Sequence, residues 1–341
     1  MKIDIIKILK CPICGGRPFK IDSVTGLYDE YRDGAVLCST CKYSFPLDQG
    51  VADFLAEPSP EIVKEQKASS DEPRIRTEKG DEFFVNPESI EKFSSLFMSL
   101  PKGDGSYFFK KGGSFQNFAE GSHRFFDLID KWGIKSGMKV LELGAAFCWA
   151  SREFAMKGCD VVAVDITDYL KVADLYLKDG LYFERIYADM DKLPFESGSF
   201  DIIFAAATIH HSSDLNKTFR ELNRVLRKGG RAILMNECFV GVFEKPQQHP
   251  DDFGYNDHYY PVWQWQRAIK NSGFGKVKIT YLSFLKDYVA RKESRGFKSG
   301  FKLTLAKAII KAPLIDKLLS FLLIPHRILF RPRSVLIETT K

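Results

Sequence analysis

Four of the seven cysteines stand in two close pairs, Cys11-Pro-Ile-Cys14 and Cys38-Ser-Thr-Cys41, with 23 residues between the pairs. Two residues between cysteines let both thiolates of a tight turn face one ion. Four thiolates complete a closed tetrahedral zinc site with no position left for substrate. Gly15-Gly16 supplies the turn after the first pair. In a segment this short, bound metal contributes on the order of 10 kcal/mol to folding. Residues 1–56 are therefore expected to form a zinc ribbon that folds or docks, with chemistry taking place elsewhere.

The residues suited to chemistry come later. His210-His211 follow an apolar run, Phe200-Asp201-Ile202-Ile203-Phe204, at the strand end where open α/β sheets bind ligands. His211, and His210 beside it, are candidate general bases. Asn236-Glu237 ends the next apolar run, and a long polar loop, 238–262, carries His249, Asp251, Asp252, Tyr255, Asp257, His258, Tyr259 and Tyr260. A loop of this length commonly covers or binds substrate. Glu237 and His258 are the candidates for substrate contact. The Asp/His/Tyr mixture suits a polar acceptor or a divalent cation, a hydrogen-bonded loop being the plainer reading.

These groups need elements to hold them. Lys139-Val140-Leu141-Glu142-Leu143-Gly144 reads as a strand closing on a turn glycine, followed by a helical stretch from Trp149 to Lys157 and a second strand, Asp160 to Val164, closing on Asp165. That is a βαβ nucleotide-binding half: the glycine lets backbone approach a ligand, and the acid can accept hydrogen bonds from ribose hydroxyls. Further blocks follow in order: Ala188-Asp189-Met190-Asp191 with Leu193-Pro194-Phe195, then the histidine-bearing strand, a helix from Leu215 to Leu226, and Gly229-Gly230 leading into Arg231-Ala232-Ile233-Leu234. Short strands alternating with helices of about this length predict an α/β, doubly wound, mostly parallel sheet.

From Gly133 to Phe274 these blocks closely resemble the class I S-adenosylmethionine-dependent methyltransferases of the ubiquinone/menaquinone group. The resemblance implies a Rossmann-like seven-stranded methyltransferase fold with S-adenosylmethionine as cofactor. It implies that Gly144 and Ala145 face the methionyl part with Glu142 below, and that Asp165 binds the ribose with Ile166 against the adenine. It further implies that Asp189 meets the adenine amine with Met190 beside it, and that Ala205 and Ala206 line the pocket. One departure stands out: where the group has a second and third glycine, this chain has Ala146 and Cys148. Residues 3–56 resemble the small zinc-ribbon methyltransferase-activator family, on the cysteine pairs and the stretch Phe45 to Leu55.

The remaining segments divide as follows. Residues 57–82, rich in Pro, Ser and charge, read as a linker. Residues 83–132 read as covering helices, near 87–99 and 119–132, and 133–341 as the catalytic domain. In the resembling group the last two strands form a hairpin, here Lys276–Leu282 and Ser334–Glu338, which makes 283–333 an insertion. Net charge is +6 overall, but residues 291–341 hold 12 Lys/Arg against 3 Asp/Glu, so residues 1–290 are net acidic. That distribution speaks against a broad phosphate-binding face. The longest insertion stretch free of charge, 318–326, has nine residues, against the roughly 20 a spanning helix needs. The amphipathic insertion is expected to pack on the domain or on a second copy, or to lie at a membrane surface. No secretory signal pattern opens the chain, so a cytoplasmic protein, membrane-associated at most, is expected. The leading functional expectation is methyl transfer to a small-molecule, glycan or lipid-linked acceptor. The alternatives are rRNA base methylation, by resemblance to guanine-N1 enzymes that also carry a zinc ribbon, and a non-catalytic methyltransferase-like partner.

Overall fold

The computed structural model describes residues 1–25, 30–110, 113–240, 247–250, 256–281, 300–312 and 335–341, with isolated positions 289, 314, 315 and 318. Four strands make the N-terminal ribbon: β1 (Phe19–Thr25), β2 (Tyr31–Cys38), β3 (Ser44–Asp48) and β4 (Val51–Asp53). Next come α1 (Pro60–Asp71), a small hairpin of β5 (Ile75–Arg76) and β6 (Glu82–Phe83), and the helices α2 (Pro87–Lys92), α3 (Ser94–Ser99) and α4 (Gln116–Ile129). The α/β body follows with β7 (Lys139–Leu143), α5 (Trp149–Met156), β8 (Asp160–Asp165), α6 (Ala173–Lys178), β9 (Glu184–Tyr187), β10 (Phe200–Ala206), α7 (Leu215–Val225) and β11 (Leu226–Glu237). Three short strands, β12 (Phe239–Val240), β13 (Gln247–Pro250) and β14 (Asn256–Pro261), precede α8 (Val262–Asn271), β15 (Val277–Tyr281), α9 (Phe301–Ile310) and β16 (Val335–Thr340).

The body strands run β9-β8-β7-β10-β11-β16-β15, seven in all. β7 to β11 pair in parallel, whereas β16 lies antiparallel between β11 and β15. The parallel strands read as continuous apolar runs because both faces are covered. The order reverses between β7 and β10, so the ends of β7, β8 and β10 open a crevice at that switch point.

The ribbon does not hang from the body by a tether. β4 pairs in parallel with β9, Ala52 opposite Ile186, and extends the sheet to eleven strands. One apolar layer runs from Phe19, Phe45 and Phe54 of the ribbon through Ile186 and Phe195 to Trp265. Burial locks the seam further: Arg185, 1% exposed, meets the fully buried Glu30 at 2.8 Å, and Arg32 reaches Asp174 at 2.5 Å.

Residues 57–82 form no bare linker. Ser59 Oγ accepts from the Ile62 amide at 3.3 Å and Pro60 opens α1, so the Ser and Pro that suggested a spacer act as N-cap and first helical residue. α1 then packs on the body: Gln66 Nε2 donates to Ile166 O at 2.9 Å, and Tyr169 Oη donates to Ser69 O at 3.1 Å. The expected helix at 87–99 is broken at Phe93. Within the insertion 283–333, α9 is described, and no helix among the described residues is long and apolar enough to cross a membrane.

Candidate active site and cysteine cluster

β7 ends at Leu143 and the chain turns sharply. Gly144, Ala146 and Cys148 all take left-handed backbone, with φ of 62°, 43° and 57°. The turn thus keeps the shape that three glycines would adopt freely, and Ala146 and Cys148 hold it at a cost of roughly 1–2 kcal/mol each. A Cβ on Gly144 would fall 2.3 Å from Thr208 Oγ1, so only glycine fits that position.

Asp165 closes β8 and braces the turn. Its Oδ2 accepts from the Ala146 amide at 2.8 Å, while Oδ1 accepts from Ile166 N, Thr167 N and Thr167 Oγ1 at 2.8, 2.9 and 2.7 Å. Burial raises the Asp165 pKa, and those donors work against the rise. With Oδ1 saturated, the free acceptor capacity lies on Oδ2. Glu142, 2% exposed, bonds Ser151 Oγ, and its pKa is pushed up to about 8 by burial.

These groups border a cavity of about 390 Å³, within the size range of small-molecule sites. Of the residues singled out in the sequence, Glu142, Gly144, Asp165, Ile166, Met190, Ala206 and His211 are on its wall. Ala145 and Ala205 are buried behind it, 1% and 0% exposed. Asp189 stands outside the wall between Ala188 and Met190, its Oδ1 accepting from Asp191 N at 2.8 Å. Phe147 does not fill the slot: it turns into an aromatic cluster, stacking on Tyr169 at 4.9 Å. Trp149 lines the cavity while packing edge-on to Phe125.

Two of the candidates for substrate contact are placed differently from expectation. Glu237 has no exposed surface and does not reach the cavity. It accepts from Thr208 N and Ile209 N at 3.2 and 3.0 Å through Oε1, and from His210 N at 3.2 Å through Oε2. It also meets His210 Nδ1 at 2.9 Å. The Glu237 carboxylate, at the end of β11, satisfies the amides of the turn after β10, which accounts for its burial. His258 is buried against Tyr260, off the cavity wall, and burial lowers its pKa. Within loop 238–262, Asp251, Asp252 and Tyr255 lie outside the described residues, as does the side chain of His249.

His211 is the histidine on the wall. Burial acts to lower its pKa, but Glu65 at 3.4 Å, Asp257 at 3.7 Å and the charge of Glu237 outweigh it, and the net shift is upward. Glu65 and Arg74, from the segment read as a linker, also line the cavity, with Thr208 and Asn236. The signal for α1 was present in Ser59-Pro60, but nothing in the sequence links Glu65 to His211.

The four ribbon cysteines converge. Cys11 and Cys41 Sγ lie 3.7 Å apart, as do Cys14 and Cys38 Sγ, and all four sulfurs fall within 4.8 Å of one another. Four thiolates about 2.3 Å from one ion in a tetrahedron would stand about 3.8 Å apart. The cluster therefore fits a structural zinc ion.

Residues 141–234 match a family model described as a methyltransferase domain. The ubiquinone/menaquinone biosynthesis C-methyltransferase UbiE of Idiomarina loihiensis is 35% identical over 136 residues, 37% of this chain and 51% of that protein. The malonyl-[acyl-carrier protein] O-methyltransferase of Legionella pneumophila is 35% identical over 96 residues, 27% of this chain and 34% of that protein. The chain spans about half, or less, of the length of these curated relatives. Among solved structures, phosphoethanolamine N-methyltransferase 2 of Haemonchus contortus with S-adenosyl-L-methionine is 16% identical with a TM-score of 0.46, covering 77% of this chain and 61% of that one. The matched segment runs from β7 through most of β11 and is the part of the chain that builds the crevice.

Proposed function

We propose that this chain is an S-adenosylmethionine-dependent methyltransferase acting on a small-molecule, glycan or lipid-linked acceptor, with a structural zinc ion in its ribbon. The observation that carries the reading is the meeting of the Gly144 turn, Asp165 and Met190 around one cavity at the strand ends. Adenine would lie between Ile166 and Met190, a ribose hydroxyl would donate to Asp165 Oδ2, and the methionyl ammonium would face Glu142. Bound there, the cofactor supplies a methyl group already activated on a sulfonium.

What the chain must add is alignment and exclusion of water. Phe118, Phe125 and Trp149 make the apolar side of the cavity, and His211 and Asn236 its polar end. His211 is the ionisable imidazole placed to orient an acceptor or to take its proton. The relatives named for C- and O-methyl transfer leave the acceptor atom open, and the ribbon seam is where a bound zinc ion would support the whole sheet.

Calorimetry with S-adenosylmethionine tests the proposal. Binding that Asp165→Ala weakens at least about tenfold, one lost charge-assisted hydrogen bond, is expected. No heat at millimolar ligand would leave a non-catalytic relative of methyltransferases instead.

A further inference from the structure

Beside the cavity, three segments distant in sequence bring nitrogen and oxygen atoms to one point. His210 and His211 come from the turn after β10, Asp257 from β14 and Glu65 from α1. His210 Nε2 lies 3.9 Å from Asp257 Oδ1, His211 Nδ1 3.7 Å from the same oxygen, and Glu65 Oε1 3.4 Å from His211 Nδ1. One ligand atom each from His210, His211 and Asp257 falls within 4.8 Å of the others. Ligands bound tetrahedrally at about 2.0–2.2 Å stand roughly 3.4 Å apart, so small side-chain rotations would close this set on an ion.

The state of His210 supplies a second, independent indication. Glu237 already accepts from three backbone amides. Its contact with His210 Nδ1 at 2.9 Å is therefore one in which the imidazole donates. His210 Nε2, on the other side of the ring, lies 3.9 Å from Asp257 Oδ1. That distance is too long for a hydrogen bond. A metal ion between this nitrogen and the carboxylate would bind both. A buried carboxylate holding the far nitrogen of a histidine is also how metal-binding imidazoles are oriented.

We propose that His210, His211 and Asp257, with Glu65 as a fourth ligand, bind one divalent transition-metal ion of the zinc, iron(II) or manganese(II) class at the edge of the cavity. Two imidazoles with carboxylates suit these ions better than magnesium or calcium, which favour all-oxygen sets. Because His211 and Glu65 also form the cavity wall, an acceptor hydroxyl or enol could complete the coordination. The metal would make that oxygen acidic; its proton would leave to solvent, and the oxygen would form the new bond to the methyl carbon as the carbon–sulfur bond breaks. This use of the ion rests on the methyltransferase reading; its binding does not.

The test counts metal on the full chain. With the cysteine site zinc-loaded, wild-type protein dialysed against zinc should hold two ions per chain, and His211→Ala and Asp257→Ala one. Cobalt(II) added to wild type carrying one zinc equivalent, held by the cysteines, should give visible d–d bands without thiolate charge transfer. Glu237→Gln should keep the second ion with affinity reduced about tenfold or more. Circular dichroism and S-adenosylmethionine calorimetry on the same samples separate a folding defect, or failure of the cofactor reading, from loss of the ion. A single ion per wild-type chain with no nitrogen/oxygen-type cobalt spectrum would overturn the proposal, as would two ions surviving both substitutions; the first would mean that a proton on His211 balances the carboxylates.

Discussion

His210 Nδ1 lies 2.9 Å from Glu237 Oε2, and that carboxylate has no exposed surface. The pair ties the end of β11 to the turn after β10 and so fixes which way His210 and the neighbouring His211 present their rings. Glu237 is a positioning residue, and its removal would be felt first as instability. Glu237→Ala strands three buried amides and an imidazole, a loss of about 3 kcal/mol or more. Denaturant unfolding followed by circular dichroism measures it. A midpoint indistinguishable from wild type would mean that Glu237 faces solvent or substrate after all.

The Gly144 turn yields a second expectation. Ala146 holds φ at 43° with only a methyl group to gain from it, so Ala146→Gly should stabilise by about 0.5–1 kcal/mol, the relieved strain exceeding the added freedom of the unfolded chain. Cys148→Gly should gain little, because it also empties a fully buried side-chain position. Gly144→Ala should abolish measurable cofactor binding, since its Cβ would sit 2.3 Å from Thr208 Oγ1. Melting curves and calorimetry on the three variants check all three signs. Stabilisation by Gly144→Ala would remove the steric argument.

Chemistry that is local in the chain was the most legible. The C-x2-C pairs, the glycine turn and the acid closing β8 announce themselves within a few residues, and the run of apolar strands gave the order of the blocks. Burial and long-range partnership left no such mark. Glu237 looked like a substrate contact because nothing near it in the sequence shows that the amides of the turn after β10 consume its carboxylate. Residues 57–82 looked like a spacer because Ser-Pro opens helices as well as loops, and α1 is largely polar, meeting the body through Gln66 and Ser69 on the segment after β8 and through Glu65 at His211. The strand pairing that joins ribbon to body covers three residues of β4 beside β9, too short a stretch to carry a pattern of its own, and the buried ion pairs beside it link residues far apart in sequence.

That join makes the ribbon part of the body's stability. All four tryptophans, Trp132, Trp149, Trp263 and Trp265, belong to the body. Stripping metal from the cysteine cluster with a chelator should therefore lower the tryptophan-detected melting temperature by several degrees, at roughly 2–4 °C per kcal/mol for a chain this long, in one transition. Arg185→Ala, which removes one of three cationic partners of the buried Glu30 and leaves Arg32 at 2.6 Å and the N-terminal ammonium at 3.1 Å, should act in the same direction by about 1.5–3 kcal/mol. An early ribbon transition that leaves the tryptophan signal unmoved would show two independent units.

Glu142 gives the pH dependence. Its folded pKa is pushed to about 8 by burial, above the usual 4.5 of a glutamate. The neutral carboxyl is thus the form the empty fold prefers. The stability tied to it is fully present below about pH 4.5 and is lost as pH rises through about 8. Glu142→Gln keeps the neutral shape at every pH, so the ligand-free variant should melt above wild type at pH 8 and level with it near pH 5. Cofactor binding should run the opposite way. A methionyl ammonium stabilises the ionised carboxylate, so wild-type affinity should rise from pH 6 to 8, by at most ~10-fold per unit, while Glu142→Gln stays nearly flat. Calorimetry across that range in both proteins measures the slopes. Equal slopes would place the ammonium away from Glu142 and leave the buried carboxyl with only its hydrogen bond to Ser151.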